Sequence, residues 1–404
     1  MSAHAATTPD YATYKAAFAG QAMPFAYVDL DLFDENVRQV IARAGGKRVR
    51  VASKSVRSVA LLRRLLAADP ATIQGLMCFT AREAVWLASQ GFDDLLVGYP
   101  TWHEDDLVAV ARATRDGGAR ITLMVDSVAQ VARIEGVAQR EGARLPLCVE
   151  LDMSLDVPGL RFGVWRSPLR SAEQARPVLE RIVASAAVWL DGLMGYEAQI
   201  AGLGDSAPRH PAKNALIRAL KRRSVGEVAR RRAALLRLAE SLGAAPRIVN
   251  GGGTGSIATT RAEPGVTEIT VGSAFYAPAL FDAYRDFRYL AAAGYAIEIV
   301  RQPAPDLYTC LGGGYPASGA AGPDRLPRVY LPHGARLLPL EGAGEVQTPV
   351  RYHGSEHLAP GDPIFLRHSK AGELCERFAR LLLVRGGAVV DDVTTYRGDG
   401  QCFL

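Results

Sequence analysis

The chain has 404 residues, of which 49% are apolar and 22% are charged, and its formal net charge is +5. This length and composition are typical of a globular protein that is large enough for two domains. The five cysteines show no Cys-x-x-Cys spacing and no run of 18 apolar residues occurs, so neither a disulfide scaffold nor a membrane span is predicted.

The N-terminal segment, residues 1–23, has no basic stretch followed by an apolar block. Because a secretory signal combines those two features, we expect a cytoplasmic protein. The odd number of dispersed cysteines also favours a reducing compartment.

Short apolar runs then alternate with longer segments of helical periodicity. After an opening run at 25–33, eight runs follow at 49–53, 75–79, 94–99, 120–127, 146–153, 190–197, 246–253 and 267–273. Helix candidates lie between them at 58–69, 81–91 and 224–243. Apolar strands that alternate with amphipathic helices indicate a parallel sheet, and eight units in roughly 250 residues predict a closed (β/α)8 TIM barrel.

One part of this region is strongly basic. Positive residues are densest at 218–238, where apolar residues recur at helical spacing. We interpret the segment as a helix with a solvated positive face, because a nucleic-acid site would combine clustered basic residues with exposed aromatic ones. Neither a nucleic-acid partner nor a membrane partner is predicted.

The composition and periodicity of the sequence change near residue 290. Helical periodicity fades, glycine and proline become more frequent, and short strands are expected at 295–302, 377–386 and 388–398. The predicted fold class is therefore α/β, with a TIM barrel at 24–288 followed by a C-terminal β-rich domain at 289–404.

Two glycine-containing segments follow the last two predicted barrel strands. Residues 250–256 read NGGGTGS, and residues 271–276 read VGSAFY. Barrel enzymes often hold a phosphate in the loops after strands seven and eight, where successive backbone N–H groups bind an oxyanion. No Gly-Lys-Ser/Thr follows the glycines, so the segment is not a P-loop. The pattern predicts a phosphate site.

Lys54 lies at the C-terminal end of the first predicted barrel strand, in RVRVASKSVRS (48–58). A closed barrel brings its first strand beside its eighth, so this lysine would face the phosphate site. An amine in that position could form a Schiff base with a phosphorylated aldehyde. The alternative is an ordinary solvated lysine.

Roughly residues 24–404 resemble the fold-type III pyridoxal-phosphate enzymes, in particular the D-threonine aldolase and D-serine dehydratase group and its bacterial "amino acid deaminase/aldolase" branch. The similar segments are PFAYVDLDLFDENV (24–37), RVASKSVRS (50–58), GLRFGV (159–164), GLMGYEAQIAG (192–202), VNGGGTGS (249–256), TEITVGSAFY (267–276) and RHSKAGELCERF (367–378). The resemblance implies a barrel like the alanine racemase N-terminal domain, a β domain like that of D-serine dehydratase, and a homodimer.

The resemblance also implies which residues bind pyridoxal 5'-phosphate. These are Lys54, Arg161, Tyr196, Gly252, Gly253, Thr254, Gly272, Ser273 and Tyr276. Lys54 would hold the cofactor as an internal aldimine, and the glycines, Thr254 and Ser273 would surround its phosphate. Arg161 would hydrogen-bond the phenolic oxygen, Tyr196 would lie beside the ring, and Tyr276 would contact the phosphate. Each tyrosine could instead be a packed residue at a strand end.

A divalent metal is a further implication, but the sequence departs from the pattern. Proteins of this group bind the metal through a histidine and an aspartate or cysteine two residues later, and the matching residues here are His368 and Lys370. A protonated lysine has no lone pair for a metal. Glu373, Cys375 and Glu376 are the possible substitutes, at different spacings from His368. Without a metal, Lys370 would offer positive charge to the substrate and His368 would move protons.

The function implied is a pyridoxal-phosphate-dependent lyase in D-amino acid metabolism. Its substrate would be a 3-hydroxy amino acid, of D configuration in this group, cleaved by retro-aldol reaction or dehydrated and deaminated through an external aldimine. Two alternatives stay open. A fold-type III racemase would need a second base on the opposite face of the cofactor, and a non-catalytic cofactor carrier would lack the C-terminal β domain.

Overall fold

The structure is a computed structural model that describes residues 8–404, so residues 1–7 of the predicted N-terminal segment lie outside the described residues. Its strands are β1 (Phe25–Asp29), β2 (Arg48–Ala52), β3 (Ile73–Cys78), β4 (Leu95–Val97), β5 (Ile121–Val125), β6 (Leu145–Glu150), β7 (Leu155–Val157), β8 (Leu160–Phe162), β9 (Val188–Gly195), β10 (Ile248–Gly251), β11 (Glu268–Val271), β12 (Ala293–Ala304), β13 (Leu307–Leu311), β14 (Arg328–Leu331), β15 (Arg336–Leu337), β16 (Gln347–Arg351), β17 (Pro363–Arg367), β18 (Arg380–Arg385) and β19 (Ala388–Thr394).

The helices are α1 (Tyr11–Ala17), α2 (Leu30–Ala44), α3 (Val59–Ala68), α4 (Ala81–Ser89), α5 (Glu104–Gly117), α6 (Val128–Glu141), α7 (Ala172–Val183), α8 (Ala198–Ala201), α9 (Pro211–Ser241) and α10 (Ile257–Thr260). In the part of the chain that the structure describes, none of them combines the length and the apolar character that a bilayer crossing needs.

Eight parallel strands close into a barrel in the order β10-β11-β2-β3-β4-β5-β6-β9. The first barrel strand along the chain, β2, pairs with the last, β11, with Val49 opposite Ile269. Each of the eight apolar runs that begin at Val49 overlaps one of these strands, so the predicted barrel is confirmed. A two-stranded hairpin of β7 and β8 is inserted between β6 and β9.

Local sequence signals fix where the barrel helices begin. Helices α4, α6 and α7 each start at a capping side chain, Thr80, Ser127 and Ser171, whose oxygen accepts a hydrogen bond from a backbone N–H three residues later. Helix α6 ends at Gly142 in the left-handed conformation, which glycine adopts without a steric cost.

The N-terminal end of the barrel is closed by buried charged side chains. Arg50 of β2 is fully buried, and its guanidinium bonds Glu268 at 2.6 Å and Asp94 at 3.1 Å. Arg247, which precedes β10, pairs with Asp94 at 2.8 Å and with Asp191 at 2.7 Å. Buried charges are tolerated only when paired. In barrels of this kind, ligands bind at the opposite end, where the strands have their C-terminal ends.

A nine-stranded sheet forms the other part of the fold. Its main path is β15-β16-β13-β12-β1-β18-β19, and β17 pairs with both β12 and β14. Strand β1 pairs antiparallel with β12 and parallel with β18. The predicted β-rich architecture after the barrel is confirmed. The sheet also contains β1, a strand from near the start of the chain.

The chain forms two compact units that do not follow the sequence continuously. One contains residues up to Gln39, Lys54–Arg63 and Ser273–Cys402, and the other contains most of the barrel, Val40–Ser53 and Arg64–Gly272. Strand β1 thus lies in the sheet although it falls within the predicted barrel range 24–288. The domain boundaries of the sequence analysis stay a prediction.

The helix predicted at 218–238 is present, and most of its positive residues are exposed or half-buried. Helix α9 begins earlier than the predicted 224–243, at Pro211, and two of its positive side chains are buried. Lys221 pairs with Asp205 at 3.1 Å, and Arg232 pairs with Glu197 at 3.0 Å. Both carboxylates come from the segment after β9, which the sequence pattern did not connect with the helix.

Candidate active site

Lys54 lies in a short 3-10 turn, Ser53–Ser55, directly after β2. Its side chain is exposed, whereas the side chains of Ser53 and Ser55 are buried. Lys54 is therefore an exposed residue between two buried ones.

Several contacts within its own unit fix the turn that carries Lys54. Arg57 donates from Nε to the Lys54 carbonyl at 3.0 Å, and its guanidinium also pairs with Glu376. A Cβ atom at Gly372 would lie 2.7 Å from the same carbonyl oxygen, so only glycine fits there. The segment 367–378, where the sequence analysis considered a metal site, thus packs directly against the Lys54 turn.

Tyr276 and Cys375 meet on the same turn. The Tyr276 hydroxyl donates to the Val56 carbonyl at 2.8 Å, and the Cys375 thiol lies 3.3 Å from the same oxygen. Burial raises the pKa of the Cys375 thiol to about 12 and holds the pKa of Tyr276 well above its ordinary value. Both groups stay protonated at neutral pH. The predicted contact of Tyr276 with a phosphate stays a prediction, since this hydroxyl already has an acceptor.

The glycine loop after β10 packs tightly against neighbouring residues of the barrel. Gly252 has φ of +87°, a conformation that favours glycine, and a Cβ atom there would overlap Ile269. A Cβ atom at Gly253 would lie 2.8 Å from Ala201 Cβ and 3.4 Å from Tyr196 Cε2. The structure therefore brings together Gly253 and Tyr196, two of the predicted cofactor residues.

The remaining predicted phosphate residues follow the strands as expected. Thr254 continues the glycine loop and is buried, and Gly272 directly follows β11. Ser273 is the next residue, and its carbonyl accepts a hydrogen bond from the Ala277 N–H at 2.9 Å.

Arg161 lies on the inserted hairpin, in β8. It pairs with Asp152 at 3.1 Å, and its guanidinium stacks 3.9 Å from the ring centroid of the exposed Trp165. Its Nε is buried and has no hydrogen-bond partner among the described residues. An unpartnered donor is costly to bury, so it fits a site that a ligand oxygen completes.

A second arginine at the C-terminal ends of the strands was missed by sequence reasoning. Arg166 pairs with Glu150 at the end of β6, and its guanidinium lies 4.6 Å from the Tyr99 ring centroid and 5.6 Å from that of Tyr196. Desolvation raises the pKa of Glu150 and of Tyr196, the latter to about 12. The available signal was Glu150 itself, a carboxylate that ends an otherwise apolar strand.

His368 is buried in the sheet-containing unit. Its Nε2 lies 2.7 Å from the Ala371 carbonyl, which can only accept, so the proton sits on Nε2 and Nδ1 carries the lone pair. Nδ1 has no partner among the described residues. Burial lowers the pKa of His368 to about 4, and the imidazole is neutral at neutral pH.

The residues around His368 do not fit a metal. Lys370 donates from Nζ to Ser318 Oγ at 2.8 Å, and Glu373 accepts from the same hydroxyl at 2.6 Å. Cys375 contacts the Lys54 turn instead. Among residues 8–404, no group of three histidine, cysteine, aspartate or glutamate side chains could hold a metal ion.

Pyridoxal phosphate, by contrast, fits the residues present. Two loops with glycines follow the adjacent strands β10 and β11, and β11 is also the neighbour of β2, which leads into Lys54. Arg161 offers a buried donor, and Tyr196 borders the glycine loop.

Comparison with known proteins bears on this arrangement. The family model for the alanine racemase N-terminal domain matches residues 28–279. Two curated relatives, both named 3-hydroxy-D-aspartate aldolase, come from Paracoccus denitrificans and its strain Pd 1222. They are 28% and 26% identical over 235 residues, which is 58% of this chain and 54% of each relative. The chain thus spans about half the length of the curated relatives that it matches.

Solved structures agree over nearly the whole chain. D-threonine aldolase from Filomicrobium marinum has a TM-score of 0.78 at 19% identity, covering 95% of this chain and 96% of that one. D-threo-3-hydroxyaspartate dehydratase from Delftia sp. HT23 has a TM-score of 0.71 at 19% identity, covering 96% and 99%. Likeness at this identity shows a shared fold.

Proposed function

This chain belongs to the alanine racemase N-terminal domain family, and from that membership and the site we propose that it is a pyridoxal-phosphate-dependent lyase. Its substrate is a 3-hydroxy amino acid of D configuration. The name of the curated relatives, 3-hydroxy-D-aspartate aldolase, supports this substrate class, and their match covers 235 residues of this chain.

One observation carries the proposal. In the barrel order β10-β11-β2, two strands end in glycine loops and the third leads within two residues into Lys54. An anion-binding loop and a nucleophilic amine on neighbouring strands are what a phosphorylated aldehyde needs. A surface lysine would require no such neighbours.

When bound, pyridoxal phosphate supplies an electron sink for the carbanion that forms as a bond to Cα breaks. Lys54 supplies the amine for the Schiff base. Backbone N–H groups around Gly252, Gly253, Thr254, Gly272 and Ser273 hold the phosphate. Arg161 would donate to the phenolic oxygen through its guanidinium, whose Nε has no hydrogen-bond partner among the described residues.

Lys370 and His368 are the proposed catalytic groups on the sheet side. The Lys370 ammonium, held by Ser318, provides a fixed positive charge for the β-hydroxyl or carboxylate of the substrate. His368 is neutral and keeps a lone pair on Nδ1, so it can accept a proton. In this proposal the Lys370 ammonium has the role that a metal cation would have.

The proposed setting is a homodimer in the cytoplasm. Support for a reducing compartment comes from four buried cysteines that are free thiols, Cys78, Cys148, Cys310 and Cys375. Free thiols are the usual state of cysteine where glutathione and thioredoxin keep proteins reduced.

The proposal is tested by trapping the Schiff base. Borohydride reduction of the yellow protein followed by peptide mapping should place the cofactor on Lys54, and Lys54→Ala should abolish the trapped adduct. Lys213→Ala, at an exposed position of α9, is the matched control and should keep it. A full adduct on Lys54→Ala would overturn the proposal.

Products then identify the reaction. With 3-hydroxy-D-aspartate, D-threonine and D-serine, retro-aldol cleavage releases glycine, whereas dehydration releases ammonia. Inversion of D-alanine would support a racemase, and no turnover of any amino acid would support a cofactor carrier.

A further inference from the structure

We infer that the buried ion pair of Arg232 and Glu197 sets the charge beneath the glycine loop and thereby how tightly a phosphate monoester binds there. This inference rests on the proposed function, because it takes residues 250–256 as the phosphate site. Neither residue contacts the ligand in this view. They are positioning residues that act through Ser256 and the loop backbone.

The carboxylate of Glu197 is linked to the loop by one hydroxyl. Its Oε1 accepts hydrogen bonds from Ser256 Oγ at 2.9 Å and from Thr260 Oγ1. Ser256 Oγ in turn accepts from the Gly253 N–H at 3.1 Å. The Glu197 side chain is only 1% exposed, so its charge is not screened by water.

Arg232 lies on the other side of that carboxylate. Its Nη2 donates to Glu197 Oε2 at 3.0 Å and to the Gly195 carbonyl at 2.8 Å, and its Nη1 pairs with Glu263. A Cβ atom at Gly251 would lie 2.6 Å from Nη2, so the guanidinium packs directly against the start of the loop. Helix α9 thus delivers a positive charge to the underside of the glycine loop.

The charges of Arg232 and Glu197 affect how strongly the glycine loop attracts a phosphate. A phosphate monoester near neutral pH carries close to two negative charges, and a lone buried carboxylate behind its loop would repel it across a medium of low dielectric constant. Arg232 offsets part of that charge, because it also pairs with Glu263, while Glu197 still accepts from the Ser256 hydroxyl. The other titratable groups facing the pair are Glu263 and the phenol of Tyr196, with Lys47 beyond Glu263.

Two single variants should therefore differ in phosphate binding, because only one of them should weaken it. Arg232→Met leaves the Glu197 charge uncompensated and should weaken pyridoxal phosphate binding by about tenfold or more. Glu197→Gln keeps an oxygen acceptor for Ser256 and leaves Arg232 charged, so binding should be unchanged or tighter.

The experiment measures equilibrium binding of three probes to the full-length protein stripped of cofactor: pyridoxal phosphate, pyridoxal and inorganic phosphate. Pyridoxal lacks the phosphate, so its binding should stay within about twofold in every variant. The double variant Arg232→Met/Glu197→Gln should bind pyridoxal phosphate within about threefold of wild type. Arg230→Met is the control, since that side chain is 76% exposed and pairs only with Glu227 among the described contacts.

Equal weakening by both single variants, or equal loss of pyridoxal and pyridoxal phosphate, would overturn the inference and leave the pair a packing element. If Arg232→Met does not fold, Glu197→Gln and the double variant decide, and weakened phosphate binding in either would overturn it. A wild type that binds inorganic phosphate but no pyridoxal phosphate would contradict the proposed function alone, because inorganic phosphate still reports on the loop.

Discussion

At the scale of single residues, His368 shows how burial changes a group that sequence alone presents as a metal ligand. Its imidazole is 4% exposed, its pKa is lowered to about 4, and its Nε2 proton is used by the Ala371 carbonyl. The unfolded chain would protonate the same group near pH 6.5. Folding therefore opposes protonation of His368, and that opposition is measurable.

We expect His368 to make the protein less stable as the pH falls. Between pH 6.5 and 4 the unfolded state binds a proton that the folded state does not, so stability drops across this window by about 3 kcal/mol. His368→Gln, whose amide can still donate to Ala371, should flatten the fall of Tm by several °C between pH 6.5 and 4.5.

The control for that measurement is His357→Gln, at an exposed position, which should reproduce the wild-type pH dependence. Equal slopes in wild type and His368→Gln would show that His368 does not titrate in this way.

At the residue scale, the sequence indicated positions that follow a strand end, whose proposed roles stay predictions, and it missed pairs of residues that are distant in the sequence. Lys54 and Gly252 each lie within two residues of a barrel strand, so counting strands located them. The sequence pattern predicted Arg232 as a solvated arginine, because its local sequence does not indicate its partner Glu197, which lies 35 residues earlier. Such a pair exists only once β9 and α9 are packed.

At the scale of elements, the glycine loop after β10 depends on backbone geometry as well as on space. Gly252 combines φ of +87° with close contact to Ile269 on the neighbouring strand. Gly243, just after α9, has a similar φ of +74°, but a Cβ atom there would have no neighbouring atom within 4 Å. Substituting alanine at Gly243 and at Gly252 therefore distinguishes the cost of backbone strain from the cost of steric overlap.

We expect Gly243→Ala to cost about 1–2 kcal/mol of unfolding free energy, from the left-handed conformation alone. Gly252→Ala should cost about 1–3 kcal/mol more, because its methyl group overlaps Ile269. Urea denaturation of the cofactor-free variants measures both. Equal costs would mean that the loop moves away from β11 without penalty.

Element prediction was most successful for the barrel strands. Their apolar runs are continuous because both faces of each strand are buried, and that signal is local. The pairing of β1 is not local: Ala26 lies opposite Tyr295 and Leu381, both more than 260 residues away in sequence. An apolar run at 25–29 predicts a strand, but not which sheet receives it.

At the scale of the whole molecule, the central place of β1 determines what can fold alone. In the main sheet path, β12 and β18 are joined through β1. Helix α1 supports the same region, since the Tyr14 ring packs 5.2 Å from Tyr27 and 5.5 Å from Phe365 between ring centroids. A cut at the predicted boundary between residues 288 and 289 would remove both elements from the sheet.

We therefore expect the fragment 289–404 to lack a cooperative unfolding transition, because its strands fall into two groups without the strand that joins them. Fusing residues 9–39 through a flexible linker to the start of 273–404 should restore strand-type circular dichroism and a cooperative urea transition. The same fusion with Tyr27→Pro is the matched control and should fail, since proline cannot donate to a ladder in the middle of a sheet. Cooperative unfolding of 289–404 alone would show that the sheet closes without β1, and the sequence-based boundary would then mark a true folding unit.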